Sequence, residues 1–152
     1  MNYIIGLGNI LRSDDGIAIN IIDYIIKNQL EQGFYALDFA TNAWGLLPLL
    51  KTATKKILII DCAKMQQQAG TVQFFDLNYI LHQDKTTIEN HNSSIKQILE
   101  IAQQADFFIP TINIMGIEPK SLKFNVGLSA SLEEKLTEYS QQAISFIQNS
   151  TR

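Results

Sequence analysis

Two aspartates and one histidine have side chains that could act on a common ligand: Asp15, Asp61 and His91. Asp15 follows the first apolar run of the chain, Asp61 ends another apolar run, and His91 precedes a helical pattern. In open α/β sheets, ligands bind at the carboxyl ends of the strands, so these three side chains are placed to converge. Two carboxylates and an imidazole suit a divalent first-row metal ion with open coordination positions. We therefore expect a weak metal site there.

Each of these residues also has an ordinary structural interpretation. Asp15 could serve only as the cap of a helix. Asp61 could hydrogen-bond a turn at the end of its strand, and His91 could be a solvated loop residue. From the residue types alone, both interpretations stay open.

A second possible site is a nucleotide-binding loop, because Gly6-Leu7-Gly8 follows a strand pattern and precedes a helix. Two observations disfavour it. Leu11 stands where a dinucleotide fingerprint needs its third glycine, and the charges of Asp14 and Asp15 would repel a pyrophosphate. The chain also lacks a phosphate loop, a Gly-x-Ser-x-Gly nucleophile elbow and a His-Glu-x-x-His zinc helix.

Strand patterns recur along the chain and would position these candidates. The apolar runs predict strands over residues 3–7, 34–38, 56–61, 72–77 and 111–117. Between Lys56 and Asp61 the run is continuously apolar, which is typical of a central parallel strand with both faces covered.

Helical patterns alternate with these strands. We predict a helix from about Asp15 to Leu30 with Ser13, Asp14 and Asp15 as cap residues, and a short helical stretch over 42–51 that Pro48 interrupts. Capping-box spacings predict a helix after Ser94 and a closing helix after Ser131, and the polar stretch 78–92 predicts a long loop. This alternation predicts an α/β three-layer sandwich: a mostly parallel, twisted sheet of about five strands with helices on both faces.

Length and composition limit the class of protein. The 152 residues suit a single domain spanning 1–152, and 46 % hydrophobic with 18 % charged residues is typical of a globular chain. The net charge of −3 and the scattered Lys and Arg residues give no footprint for nucleic acid or an acidic membrane surface.

The single cysteine, Cys62, excludes an internal disulfide and is expected to pack as a small hydrophobe. The chain shows no membrane-spanning run and no signal-peptide pattern at Met1, so we expect a cytoplasmic protein.

Longer motifs resemble those of one known family. Gly6-Leu7-Gly8-Asn9-Ile10-Leu11-Arg12-Ser13-Asp14-Asp15-Gly16 is similar to the opening motif of the hydrogenase maturation endopeptidases. Asp61-Cys62-Ala63 resembles their second acidic motif, and His91 falls where their histidine is expected. Gly116-Ile117-Glu118-Pro119 and Gly127-Leu128-Ser129 resemble their closing signature.

The resemblance implies a function and a partner. It implies an endopeptidase that removes the C-terminal extension of a nickel-loaded [NiFe] hydrogenase large-subunit precursor. Asp15, Asp61 and His91 would be both the catalytic residues and the ligands of that nickel, or of a divalent substitute, with the nickel presented by the precursor. The alternative is a non-catalytic metal-sensing or chaperone-like module that holds the nickel-loaded precursor. We expect a monomer whose partner is this protein substrate.

The departure from the family pattern that matters most lies in one loop. Asp38-Phe39-Ala40-Thr41 replaces the usual Asp-Gly-Gly-Thr, so a bulky ring restricts a normally glycine-rich backbone. We expect this change to affect the shape of the cleft and the choice of partner, with Asp38 as a possible supporting carboxylate.

Overall fold

Five strands form one sheet in a computed structural model that describes residues 1–82 and 92–149. The spatial order is β2-β1-β3-β5-β4. The strands are β1 (Asn2–Gly6), β2 (Tyr35–Asp38), β3 (Lys56–Cys62), β4 (Val72–Asp76) and β5 (Thr111–Ile117).

The sheet is parallel except at one edge. The pairs β1–β2, β1–β3 and β3–β5 are parallel, whereas β4 runs antiparallel to β5. In the central strand β3, Lys56 to Asp61 are buried, as the continuous apolar run predicts. The predicted sheet, mostly parallel and five-stranded, is confirmed.

Helices cover both faces of the sheet. They are α1 (Ile17–Lys27), α2 (Leu46–Leu49), α3 (Leu77–Leu81), α4 (Asn92–Gln104), α5 (Ala130–Glu133) and α6 (Leu136–Gln148). Side chains of α1 and α6 pack with Leu58 and Ile60 on one face, and those of α2 and α4 pack with Ile57 and Ile59 on the other. Successive side chains of β3 therefore point into two separate cores, one on each face of the sheet. The predicted three-layer sandwich is confirmed.

The predicted start of the first helix is wrong by two residues. Helix α1 begins at Ile17, and Asp15 lies in a preceding 3₁₀ turn, Ser13–Gly16. Neither aspartate caps a helix: the carboxylate of Asp15 accepts the N–H of Asn9 in its own loop, and the carboxylate of Asp14 accepts N–H groups from the segment after β5. The backbone of Ser13 also has φ of 49°, which interrupts the helical conformation at its predicted cap.

Three other local predictions need correction. Ser94 and Ser131 lie inside α4 and α5, which begin at residue 92 and at Ala130, so neither is a helix cap. The residue that precedes α5 is Ser129, and its hydroxyl donates to Asp14 instead of capping the helix. Part of the predicted polar loop forms the helical turn α3. The rest of that stretch, 83–91, lies outside the described residues, and His91 lies there too. Across the two described ranges, no helix is long and apolar enough to cross a membrane.

Candidate active site

The candidate site lies where the order of the strands reverses. From β1 the chain passes through α1 to β2 at one side, and it then returns through α2 to β3 on the other side of β1. The carboxyl ends of β1 and β3 thus border the crevice in which open α/β sheets bind ligands. Asp15 follows β1 and Asp61 is the penultimate residue of β3, so both reach this crevice.

The loop after β1 is fixed between its two neighbouring strands. The N–H of Leu7 donates to the carbonyl of Ile60 at 3.0 Å, and the N–H of Gly8 donates to the carbonyl of Ala40 at 2.8 Å. A Cβ atom on Gly8 would lie 2.0 Å from the carbonyl oxygen of Asp15. Only glycine allows this close approach, which brings the turn carrying Asp15 back onto the end of β1.

Asp15 is buried and oriented by the backbone of the same loop. Its side chain is only 6 % exposed, and its Oδ2 accepts the N–H of Asn9 at 3.0 Å. The Oδ1 of Asn9 accepts the N–H of Leu11 at 2.9 Å. The interpretation of Asp15 as only a helix cap is therefore wrong.

Asp61 is a buried carboxyl group next to a second acid. Burial, and then the nearby charge of Asp15, raise the pKa of Asp61 well above its usual value, although the N–H of Cys62 lowers it in part. Two carboxyl groups that interact in this way favour a shared proton or a cation. The structure thus brings together two of the three residues predicted for the site.

The third predicted residue, His91, lies outside the described residues, and its role stays a prediction. In residues 1–82 and 92–149, no three His, Cys, Asp or Glu side chains form a group that could hold a metal ion. The described part of the site therefore offers a pair of carboxylates.

Asp14 holds a distant segment beside the candidate site, a role that the sequence patterns did not identify. Its carboxylate accepts the N–H groups of Lys120, Ser121 and Ser129 at 2.9, 3.0 and 2.7 Å, and also the hydroxyl of Ser129. Burial alone would raise the pKa of Asp14, but these hydrogen bonds outweigh it and lower the pKa below its usual value. Asp14 therefore fixes the segment 120–129 beside the turn that carries Asp15.

Glu118 plays a similar part at the end of β5. It is 8 % exposed, and its Oε2 accepts the N–H of Met65 at 2.5 Å. Its own backbone is bonded to Thr71 and Gly70. This fixes the segment after Asp61. The only sequence signal for Glu118 and Ser129 is their place in the two closing motifs.

Cys62 lies beside the acidic groups. Burial first, and then the charges of Asp15 and Asp61, raise the pKa of its thiol. The thiol therefore stays protonated and is a poor nucleophile. Cys62 packs against the core shared by α1 and α6, in agreement with the prediction that it acts as a small hydrophobe.

The loop that departs from the family pattern lies against the end of β1, where the N–H of Phe39 donates to the carbonyl of Gly6 at 3.0 Å. Ala40 has φ of 49°, a left-handed conformation, and its N–H donates to the Oδ1 of Asp38 at 2.8 Å. Phe39 is half-buried, and a Cβ on Gly45 would lie 3.0 Å from its ring. The Phe39 ring therefore packs down onto the turn before α2.

Comparison with known proteins identifies the family. A model described as hydrogenase maturation protease matches residues 19–146. This chain belongs to the hydrogenase maturation protease family. The protease is thus a peptidase, and the resemblance seen in its motifs is confirmed; the matched range includes Asp61 but begins after Asp15.

Relatives match this protease over nearly its whole length. The hydrogenase 2 maturation protease of Escherichia coli is 21 % identical over 152 residues, covering 97 % of this chain and 90 % of the relative. The hydrogenase maturating endopeptidase HybD from E. coli superposes with a TM-score of 0.81 at 19 % identity, covering 99 % and 93 % of the two chains. The [NiFe] hydrogenase maturation protease HycI from Thermococcus kodakarensis superposes with a TM-score of 0.75 at 14 % identity, covering 97 % of this chain and 92 % of HycI. The protease therefore shares their α/β fold.

Proposed function

We propose that this protease removes the C-terminal extension of a nickel-loaded [NiFe] hydrogenase large-subunit precursor, acting in the cytoplasm as a monomer. The observation that supports it most is the buried pair of Asp15 and Asp61 at the strand-order reversal. Nickel is part of the substrate here, because the precursor brings it into the crevice.

The carboxylate pair fits a cation of this kind. The charge of Asp15 contributes to the raised pKa of Asp61, and a cation held by both carboxylates would relieve that repulsion. Asp15 and Asp61 would supply oxygen ligands, and His91 would supply a nitrogen. The bound ion would fix the scissile segment and polarise its peptide carbonyl.

The side chains of the protease would position the substrate and move protons. The N–H of Asn9 orients Asp15 toward its role as a ligand. Asp61 is buried and readily protonated, so it suits proton transfer between the attacking water and the leaving amine. Ionised Asp61 would take a proton from the water, and the resulting hydroxide would add to the carbonyl carbon. The C–N bond would then break as Asp61 gives the proton to the amine nitrogen. Holding the scissile bond beside these groups would supply much of the rate.

Processing by single variants tests this proposal. Asp15→Ala, Asp61→Ala and His91→Ala are each expected to slow the shortening of nickel-loaded precursor by about 100-fold or more. The matched controls are Asp23→Ala and His82→Ala, which change exposed residues outside the crevice. Mass spectrometry of the large subunit measures the removed peptide.

Normal shortening by all three site variants would refute the catalytic assignment. Tight binding of the precursor by the unmodified protease, without any shortening, would instead indicate the chaperone-like module.

A further inference from the structure

Four large apolar side chains are exposed together beside the candidate active site. Ile10, Leu11, Phe124 and Val126 are 49, 54, 84 and 70 % exposed. We call them the docking platform. Exposed apolar side chains grouped on two paired segments are typical of an interaction site.

The docking platform is continuous with the carboxylate pair. Its two segments are paired through their backbones, since the N–H of Asn125 donates to Leu11 at 3.0 Å and the N–H of Ser13 donates to Asn125 at 2.8 Å. The first segment also holds Asp15, through the hydrogen bond from the N–H of Asn9. A protein bound on the platform would therefore lie next to Asp15.

The platform is also held in place before any partner binds. The carboxylate of Asp14 bonds the backbone of Lys120, Ser121 and Ser129, which flank Phe124 and Val126 on both sides. A surface fixed in this way loses less conformational entropy on binding.

Positive charges lie on the two segments that carry the platform, although the whole chain carries a net charge of −3. The guanidinium of Arg12 lies 6.0 Å from the centre of the Phe124 ring, and Lys120 and Lys123 are exposed on the same segment. Residues 9–13 and 120–129 include no Asp or Glu. A second copy of this chain would bring the same cations into a symmetric contact and would be repelled. The charge pattern favours a partner with acidic residues around an apolar centre.

We propose that the docking platform binds the body of the protein substrate, through a substrate surface that is apolar at its centre and acidic at its edge. This inference rests on the proposed function, because it assigns the partner of the same site. It adds a recognition surface that lies outside the crevice itself.

Removal of the apolar side chains tests the platform. The double variant Phe124→Ser/Val126→Ser is compared with Phe108→Ser, which changes an apolar residue that is 72 % exposed before the amino end of β5. Binding of the purified nickel-loaded precursor is measured by interferometry, and its shortening is measured by mass spectrometry. The double variant should raise both the Kd and the KM for the precursor by about 30-fold, while kcat stays within about twofold of the wild-type value. Phe108→Ser should leave all three unchanged, and thermal melts should show that both variants fold.

Reversal of the lysine charges beside the docking platform tests whether the substrate surface is acidic at its edge. Lys120→Glu/Lys123→Glu should slow association with the precursor by about tenfold at low salt, and the difference should fade at high salt. Lys51→Glu/Lys55→Glu makes the same change of charge on another exposed part of the surface and should have little effect on association.

The outcomes separate the two proposals. Wild-type affinity and KM in the Phe124/Val126 variant, with the precursor still shortened, would overturn the platform and leave the proposed function standing. A wild-type protease that binds the precursor but never shortens it would refute the proposed function alone. A wild-type dimer that becomes monomeric on Phe124→Ser/Val126→Ser would identify the platform as a contact between copies and overturn this inference.

Discussion

Asp14 and Ser129 are 115 positions apart in the chain, yet the carboxylate of Asp14 accepts both the N–H and the hydroxyl of Ser129. The two bonds to Oδ1 are 2.7 and 2.9 Å long, and the hydroxyl lies 2.8 Å from Oδ2. The same carboxylate also bonds Lys120 and Ser121. One buried side chain therefore joins the loop after β1 to the segment after β5, and the docking platform is built on that junction.

Loss of the Asp14 carboxylate is expected to destabilise the protease strongly. Asp14→Ala leaves three partly buried N–H groups without their acceptor, so the free energy of unfolding should fall by about 3 kcal/mol. Urea denaturation measures this change. The control Asp23→Ala removes an exposed ion pair with Lys27 and should cost less than about 0.5 kcal/mol. Similar losses of unfolding free energy in both variants would contradict the role of Asp14 in joining the two segments.

Acid should remove the contribution of Asp14 to stability. Hydrogen bonding lowers the pKa of Asp14 in the folded state. The resulting stabilisation is complete above the unfolded pKa of about 3.9, and it is lost as pH falls through the lower folded pKa. The difference in unfolding free energy between wild type and Asp14→Asn should therefore shrink below about pH 4. Urea denaturation at a series of pH values measures it, and a difference that stays constant would disprove the assignment.

Asp61→Asn is expected to stabilise the protease while abolishing its activity. Burial and Asp15 raise the pKa of Asp61, so the folded state binds its proton more tightly than the unfolded state does. The stabilisation from this bound proton is present in acid and is lost as pH rises through the pKa of the folded state. Above that pH the buried carboxylate is charged and destabilises the fold. At neutral pH the amide should raise Tm by roughly 2–4 °C, equivalent to about 1 kcal/mol.

Two comparisons make the Asp61 prediction specific. The gain in Tm should vanish in acid, where the carboxyl group is already neutral. Asp106→Asn changes an exposed residue with φ of 56°, a conformation that both side chains tolerate, and it should change neither Tm nor processing. A lower Tm for Asp61→Asn at neutral pH would mean that the ionised carboxylate is satisfied in the fold.

Ala40→Gly should stabilise the loop that departs from the family pattern. The left-handed backbone at Ala40 costs about 1 kcal/mol, and the greater freedom of glycine in the unfolded chain offsets part of the gain. The net gain should be about 0.5 kcal/mol by thermal denaturation. Ala130→Gly, at an exposed position that opens α5, should instead lose about 0.5–1 kcal/mol. A loss at both positions would mean that the conformation of Ala40 is not strained.

The sequence predicted the parts of the fold that depend on local pattern. The apolar run up to Asp61 indicated a buried parallel strand, and the place of Asp15 after β1 was correct, because hydrophobic alternation and glycine turns act over a few residues. The antiparallel direction of β4 leaves no comparable local signal.

The errors lie where distant segments decide the local structure. Asp14 was predicted as a helix cap, but its carboxylate binds the segment after β5 instead, and helix α1 begins at Ile17. A capping pattern in the sequence cannot show that the side chain already has a partner far along the chain. The role of His91 stays a prediction.

The pairing of β1 with β3, and of β3 with β5, has a consequence for the synthesis of this protease. Neighbouring strands in the centre of the sheet come from distant parts of the chain, and such topologies fold slowly. A nascent chain on the ribosome has Asp15 and Asp61 long before β5 and Ser129 have emerged. The crevice can therefore be completed only after β5 and Ser129 have emerged, so a nascent protease that lacks them would not cleave its substrate.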